Sequence, residues 1–188
     1  MKKILVMMVF MIGMMLNGVG DVKADCPAGF NQKLTTIELF GCDYSVGICY
    51  TCPLTTPPII QLLHVIKMSD NPPCEHDPVP QRAELLLAVE EVIFSNEYIF
   101  NELCGISGDA PPCDDEVNIR TFKTRRAFCW EEDFDGIYVC DTSNYCETEW
   151  KICWEEGLGH QIVELSSTKV GSSTCTYPCF SIGTTKCD

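Results

Sequence analysis

Cys42-Asp43-Tyr44-Ser45-Val46-Gly47-Ile48-Cys49-Tyr50 and Cys146-Glu147-Thr148-Glu149-Trp150-Lys151-Ile152-Cys153-Trp154 follow one pattern: cysteine, acid, four residues, isoleucine, cysteine, aromatic. Both alternate with period two. Cys42, Tyr44, Val46, Ile48 and Tyr50 share one face of the first segment; Cys146, Trp150, Ile152 and Trp154 share one face of the second. Strict alternation of this kind marks a strand buried on one side. The second cysteine of each segment, Cys49 or Cys153, falls on the polar face, so its bridge is expected over the sheet, beneath a loop. Five matched positions leave duplication and chance similarity equally open.

Neighbouring signals place these strands in a sheet. Residues 33–40 end at Gly41, which predicts a tight turn into 42–50. Residues 125–132 and 137–141 flank Asp133-Phe134-Asp135-Gly136, and Asp-Gly is a strong hairpin signal. A Thr142-Ser143-Asn144 turn leads into 145–154, which predicts a three-stranded meander. Residues 59–68 are apolar on both sides and rich in β-branched residues, as in a buried strand. Pro72, Pro73 and Pro78 make 69–78 a loop.

Residues 79–103 read as one long helix, with Asp77 as cap, Pro80 in the first turn and Gly105 after the end. At 100° per residue, Leu85, Leu86, Val89, Val92, Ile93, Ile99, Phe100 and Leu103 form a core face spanning about 140°. Leu87, Phe94 and Tyr98 form a second apolar stripe between acidic flanks. That stripe is either covered within the molecule or a contact for a partner. The Ser/Thr-rich tail, 165–188, reads as an irregular, cystine-stapled segment with at most a short strand. The expected fold class is α+β: one disulfide-rich domain over 25–188, with an antiparallel hairpin and meander packed on one long helix.

Residues 1–24 read as a cleaved signal peptide. Met1-Lys2-Lys3 precedes an apolar run from Ile4 to Leu16, too short to span a bilayer, and Val22-Lys23-Ala24 supplies small residues for cleavage. All 14 cysteines lie beyond it: Cys26, Cys42, Cys49, Cys52, Cys74, Cys104, Cys113, Cys129, Cys140, Cys146, Cys153, Cys175, Cys179 and Cys187. An even count in an exported chain predicts disulfides, in a secreted or periplasmic setting. Cys49 and Cys52 are too far apart in an extended segment to bridge each other, so each is expected to pair elsewhere. The four-ligand spacing of a zinc site is absent.

The whole chain carries 13 basic and 27 acidic residues, a formal net charge of −14. Without residues 1–24 the counts are 10 and 26, a net of −16. Such a chain repels phosphate backbones and anionic membrane surfaces, which argues against a nucleic-acid partner; the short apolar run and its cleavage signal argue against a membrane anchor.

Catalytic patterns are few. Neither G-x-S-x-G nor H-E-x-x-H occurs. His64 reads as a sheet residue, His160 as a turn residue, and His76 sits in the proline-rich loop beside Cys74, Glu75 and Asp77. The carboxylate pairs Asp114/Asp115, Glu131/Glu132 and Glu155/Glu156 are sequence neighbours, which point to opposite faces of a strand. Glu131, Asp133, Asp135 and Gly136 resemble the start of a calcium loop, but Thr142 stands where a bidentate glutamate is required; the segment reads as a hairpin turn, and no cofactor is expected, with calcium as the weak alternative. Trp130, Trp150 and Trp154 read as core residues rather than sugar-stacking platforms. The resulting reading is a non-catalytic extracellular binding or surface-interaction protein with a protein or glycan partner. The alternatives are a secreted hydrolase using paired carboxylates and a subunit of an extracellular fibre.

Overall fold

The structure, a computed structural model, describes residues 25–68, 82–95, 97–133, 136–181 and 187. The expected signal peptide, residues 1–24, Cys74, His76 and the cap candidates Asp77 and Pro80 lie outside them. Among the described residues a single mixed sheet holds nine strands: β1 (Asn31–Leu39), β2 (Cys42–Thr51), β3 (Ile59–Lys67), β4 (Arg120–Ala127), β5 (Cys129–Asp133), β6 (Gly136–Val139), β7 (Tyr145–Glu155), β8 (Gly159–Val170) and β9 (Phe180–Ser181). The helix α1 (Arg82–Ile93) has only 12 residues. The expected α+β layout on one long helix is therefore corrected: the chain is mostly sheet.

β1 and β2 form the expected hairpin. Leu39 pairs with Cys42, and Phe40 and Gly41 both have positive φ, 54° and 72°. Two left-handed residues make a type I′ turn, whose twist matches the strands it joins. Along β2 Cys42, Tyr44, Val46 and Ile48 are buried on the helix side, with Asp43 exposed, while Gly47 and Cys49 are buried on the other face. At Gly47 a Cβ would lie 2.3 Å from the His64 ring on β3, so only glycine admits that imidazole.

β3 holds the sheet together. One edge pairs with β2 along its whole length, with Leu63 as an extra bulged residue. The other edge is divided. Ile59–Gln61 run parallel to β4, and His64–Ile66 run antiparallel to β6. The expected β5–β6 hairpin forms, Asp133 opposite Gly136. The expected meander does not, because β6 pairs with β3 while β7 pairs with β4 and with β8. Between β6 and β7 the chain crosses the sheet: Gln61, fully buried on β3, donates from Nε2 to the Thr142 carbonyl at 3.3 Å. β7 has its hairpin partner after it, in β8.

The helix prediction also needs correction in its second half. Ser95 interrupts α1, and its hydroxyl accepts a hydrogen bond from the Tyr98 amide at 3.2 Å, which caps the next segment. Glu97–Leu103 is wound as a π-helix, with the Cys104 amide donating to the Ile99 carbonyl, five residues back. Leu85, Leu86, Val89, Ile93, Ile99, Phe100 and Leu103 stay in the core with Phe122, Trp130 and Ile152, whereas Val92, near the end of α1, is 37% exposed.

Cystines tie loops and tail to both faces of the sheet, since Cys42 and Cys104 pack with the helix-side core and Cys146 shares the face of Arg126, whereas Cys49 and Cys153 lie on the opposite face. Six disulfides join Cys26–Cys49, Cys52–Cys104, Cys113–Cys153, Cys129–Cys175, Cys140–Cys179 and Cys146–Cys187. Cys42 is also disulfide-bonded, and no described cysteine is free. Cys49 and Cys153 are 0% and 1% exposed, each covered by the segment its partner brings. Phe128, Cys129 and Cys146 nucleate a second small cluster with the tail cysteines. The tail itself is less irregular than expected, since β8 runs to Val170 before the stapled turns begin.

Glu90 on α1 and Arg126 on β4 lock helix to sheet. Arg126 donates from Nε to Glu90 Oε1 at 2.8 Å and pairs its second nitrogen with Oε2, with side-chain exposures of 21% and 13%. Burial pushes the Glu90 carboxyl up, and the hydrogen bond and charge of Arg126 oppose that. Replacing Arg126 with Met strands the carboxylate and should cost about 3 kcal/mol near neutral pH. A raised acid gives its proton-linked stability fully below the unfolded value of 4.5, and loses it as pH rises through the folded value. The penalty of Arg126→Met should therefore shrink on acidification, as measured by urea unfolding at the two pH values.

Candidate interaction surface

The topology gathers one set of loops at one end of the sheet. The N-terminus of β1, the C-terminus of β2, the N-termini of β3 and β4, and the β7–β8 turn all meet there, as the pairings Asn31–Tyr50, Thr51–Ile59, Ile59–Lys123, Arg120–Ile152 and Glu155–Gly159 require. The π-helical segment ends there too, because Cys104 is bonded to Cys52.

These loops are tied to one another. Pro112 bridges β7 in parallel: the Trp154 amide donates to the Pro111 carbonyl at 2.8 Å, and the Cys113 amide donates to the Trp154 carbonyl at 2.9 Å. Cys113–Cys153 and a 2.7 Å hydrogen bond from Lys151 Nζ to the Cys113 carbonyl hold the same loop. Arg120 donates to the Gly108 carbonyl at 2.9 Å and lies over the Phe100 ring.

The tied loops point apolar side chains at solvent. Leu54 is 103% exposed, Val117 88%, Leu158 66% and Trp154 44%. Val117 is held out by a local turn: Asp115 Oδ1 accepts from the amides of Val117 and Asn118 at 2.9 and 3.0 Å, and Oδ2 accepts from Asn118 Nδ2. The acids Asp109, Asp114, Asp115, Glu116, Glu155 and Glu156 lie on the same loops, whereas Arg120 and Lys151 are engaged by carbonyls. Exposed apolar side chains and acids thus share this end of the sheet.

The residues singled out from sequence fall differently. Trp130 is buried and donates to the Ala127 carbonyl; Trp150 is half-buried, stacks on Phe122 and donates to Thr124 Oγ1 at 2.8 Å. Trp154 departs from the core expectation because β4 stops pairing at Ile152, so β7 runs past the packed layer. Leu87 is 57% exposed, while Phe94 and Tyr98 pack partly buried against the core and Lys33 sits over the Tyr98 ring. The stripe is therefore split between solvent and core.

His64 lies 5.8 Å from the Tyr138 ring, and His160 is exposed in β8 rather than in a turn. Glu131 and Glu132 are exposed on β5, with Glu132 paired to Arg82. Asp135, of the calcium-like run, lies outside the described residues, and among the described residues no group of three or more His, Cys, Asp or Glu side chains could hold a metal ion. No described helix is long and apolar enough to cross a membrane.

Sequence reading missed the loop end because Leu54, Val117 and Leu158 are single apolar residues in polar loops, with no period to reveal them. Their one signal is position: each lies close in sequence to a cysteine or to the exposed end of β7.

The Asp115 turn gives a pH prediction. Its carboxyl is held below the usual value of 3.8 by the Asn118 side chain first, then by the backbone amides of Asn118 and Val117. Stability linked to a lowered acid is present above its unfolded value and lost as pH falls through the folded one. Acidification through that range should loosen the Val117 loop, seen as falling 15N order parameters at Val117 and Asn118. Asp115→Ala should show the same loss at neutral pH. The chain matches no family model, no curated protein and no solved structure.

Proposed function

We propose that this chain is an extracellular binding protein, held rigid by disulfides and acting without catalysis, and that its binding surface is this apolar and acidic loop end. The observation that carries the reading is the exposure of Leu54, Val117, Trp154 and Leu158 on loops cross-linked by Cys52–Cys104 and Cys113–Cys153. Fixed loops have little freedom to lose on association, so their apolar side chains suit an interface. The six disulfides fit an extracellular setting, and a leader at 1–24 would deliver the chain to a periplasm or to the outside.

The partner class follows from charge. The acids on these loops favour a polypeptide with basic residues flanking an apolar one, and disfavour an anionic membrane. A glycan is the weaker alternative: Trp154 is the one exposed tryptophan, and its neighbours here are apolar and acidic rather than a ring of neutral hydrogen-bonding groups.

NMR titration with a synthetic peptide bearing Leu-Trp-Leu between arginines tests this. Saturable shifts confined to 52–58, 106–119 and 154–158, weakening with salt, are expected. Leu54→Ser combined with Trp154→Ser should weaken binding roughly thirtyfold without loss of fold, since truncating a buried interface aromatic typically costs about 2 kcal/mol. No saturable response, or equal binding of a glutamate-flanked peptide, would reject the surface.

A further inference from the structure

β8 is a 12-residue strand whose only strand partner among the described residues is β7. Which of its backbone groups face outward can be deduced from Trp154. The amide and carbonyl of Trp154 are both taken by the Pro111–Cys113 segment, on the side of β7 away from β8. Trp154 and its partner His160 are therefore a non-hydrogen-bonded pair, and the His160 amide and carbonyl point away from β7. Alternation repeats this at Ile162, opposite Ile152, and at Glu164, opposite Trp150. There the run stops, because Leu165 is an extra residue in the ladder, between Glu164 and Ser166.

The free edge thus presents three outward residues, His160, Ile162 and Glu164. Residues 159–163, Gly-His-Gln-Ile-Val, contain neither Asp, Glu, Lys, Arg nor proline. Edge strands are ordinarily guarded by charge, proline or a bulge, and here the bulge comes only after Glu164. His160, Ile162, Val163 and Leu165 are exposed, Ile162 at 43%. β1, the strand at the far side of β2, carries Lys33 and Glu38 and has Lys33 donating to the Glu102 carbonyl.

From this self-complementary edge we infer that β8 pairs with β8 of a second copy, antiparallel about a twofold axis at Ile162. In that register Ile162 faces Ile162 of the second copy, and His160 faces Glu164 of the second copy on both sides of the axis. Outward residues meet outward residues throughout, so the three pairs exchange six backbone hydrogen bonds. The side chains agree: the isoleucines cover each other, and each glutamate, whose Oε1 accepts from the Ser167 hydroxyl of its own chain at 2.9 Å, meets an imidazole rather than another acid. Shifting the register by two residues in either direction keeps only two of the three outward pairs, and so four of the six hydrogen bonds. The pairing is isologous and closes at two copies, so it builds a dimer and not a fibre. Five residues per copy make a small contact, well under the roughly 1,600 Å² of a standard stable interface, so the dimer exchanges with monomer. This inference is independent of the loop-end reading, and salt separates the two. Screening strengthens association of two acidic copies and weakens capture of a basic peptide.

Sedimentation equilibrium of the oxidised chain, from low-micromolar to millimolar concentration, tests it. A concentration-dependent dimer strengthened by salt is expected, with amide shifts centred on 160–164. Ile162→Lys places two ammonium groups at the axis and should leave a folded monomer. His160→Glu should weaken the dimer roughly tenfold, since it turns two attractive pairs into repulsive ones. The charge swap His160→Glu with Glu164→Lys should restore it, which a merely structural role for these residues would not do. A wild-type chain that stays monomeric at millimolar concentration, a dimer that survives Ile162→Lys, or a swap that fails to rescue a folded His160→Glu chain would each overturn the inference.

Discussion

The rest of the molecule depends on how β3 shares its hydrogen bonds. A strand buried on both faces must have its backbone polar groups paired on both edges, since an orphaned amide or carbonyl away from water costs about 1–3 kcal/mol. β2 satisfies one edge. The other is met by two different strands, with β4 taking Ile59–Gln61 and β6 taking His64–Ile66. The sheet therefore branches at β3. β4 leads to β7 and β8 on one limb, and β6 leads to β5 and β9 on the other. The bend at Ala127–Phe128, where β4 ends and β5 begins, is what lets one chain supply both limbs.

Branching creates a second requirement. The link from β6 to β7 must cross the sheet, and the face it crosses holds the fully buried Gln61. One helical segment cannot cover both faces. α1 and the π-helical turn cover the first, where Val46, Ile60, Val89, Ile99 and Phe122 meet. The second is closed by short segments with too few apolar groups to dock on their own. Cys26–Cys49 and Cys113–Cys153 supply what their apolar area lacks: loop spans of 23 and 40 residues put each crosslink at about 3–4 kcal/mol in the loop-entropy picture. Cys113–Cys153, with Cys52–Cys104 on the helix side, also fixes the loops at the Trp154 end.

How legible this was in the sequence varied with the kind of signal. Alternation identified β2 and β7, the glycine at 41 identified the β1–β2 turn, the Asp-Gly at 135–136 identified the β5–β6 hairpin, and the continuous apolar run identified β3. These are local signals, and local geometry decides them. The pairing partners were not local. Nothing in residues 137–154 says that β6 will turn to β3 while β7 turns to β4. The long helix failed for a subtler reason: apolar spacing at 3.6 residues continues through 94–96, but Ser95 is also a capping residue, and capping won. β8 was invisible because an edge strand exposed on both faces has no alternation to read. Ser166, Ser167 and Thr168 look like loop for the same reason.

Charge explains why the unpaired features of the surface matter. The described basic residues are engaged inside the molecule. Arg82, Lys123, Arg125 and Arg126 pair with carboxylates, Lys33, Arg120 and Lys151 donate to carbonyls, Lys169 donates to Ser173, and Lys67 also has a partner. Few cations are therefore left to face the solvent, and the acids set the outer field. At physiological salt that field decays over about 8 Å, so a partner in contact responds to the charges at the contact and not to the net charge of −14. Most of the surface is closed to another acidic body on those terms. The uncharged run 159–163 is an exception, and on the proposed reading the apolar loop end takes a partner that brings positive charge with it. An acidic chain that uses its cations to hold itself together thereby restricts which surfaces remain available for contact.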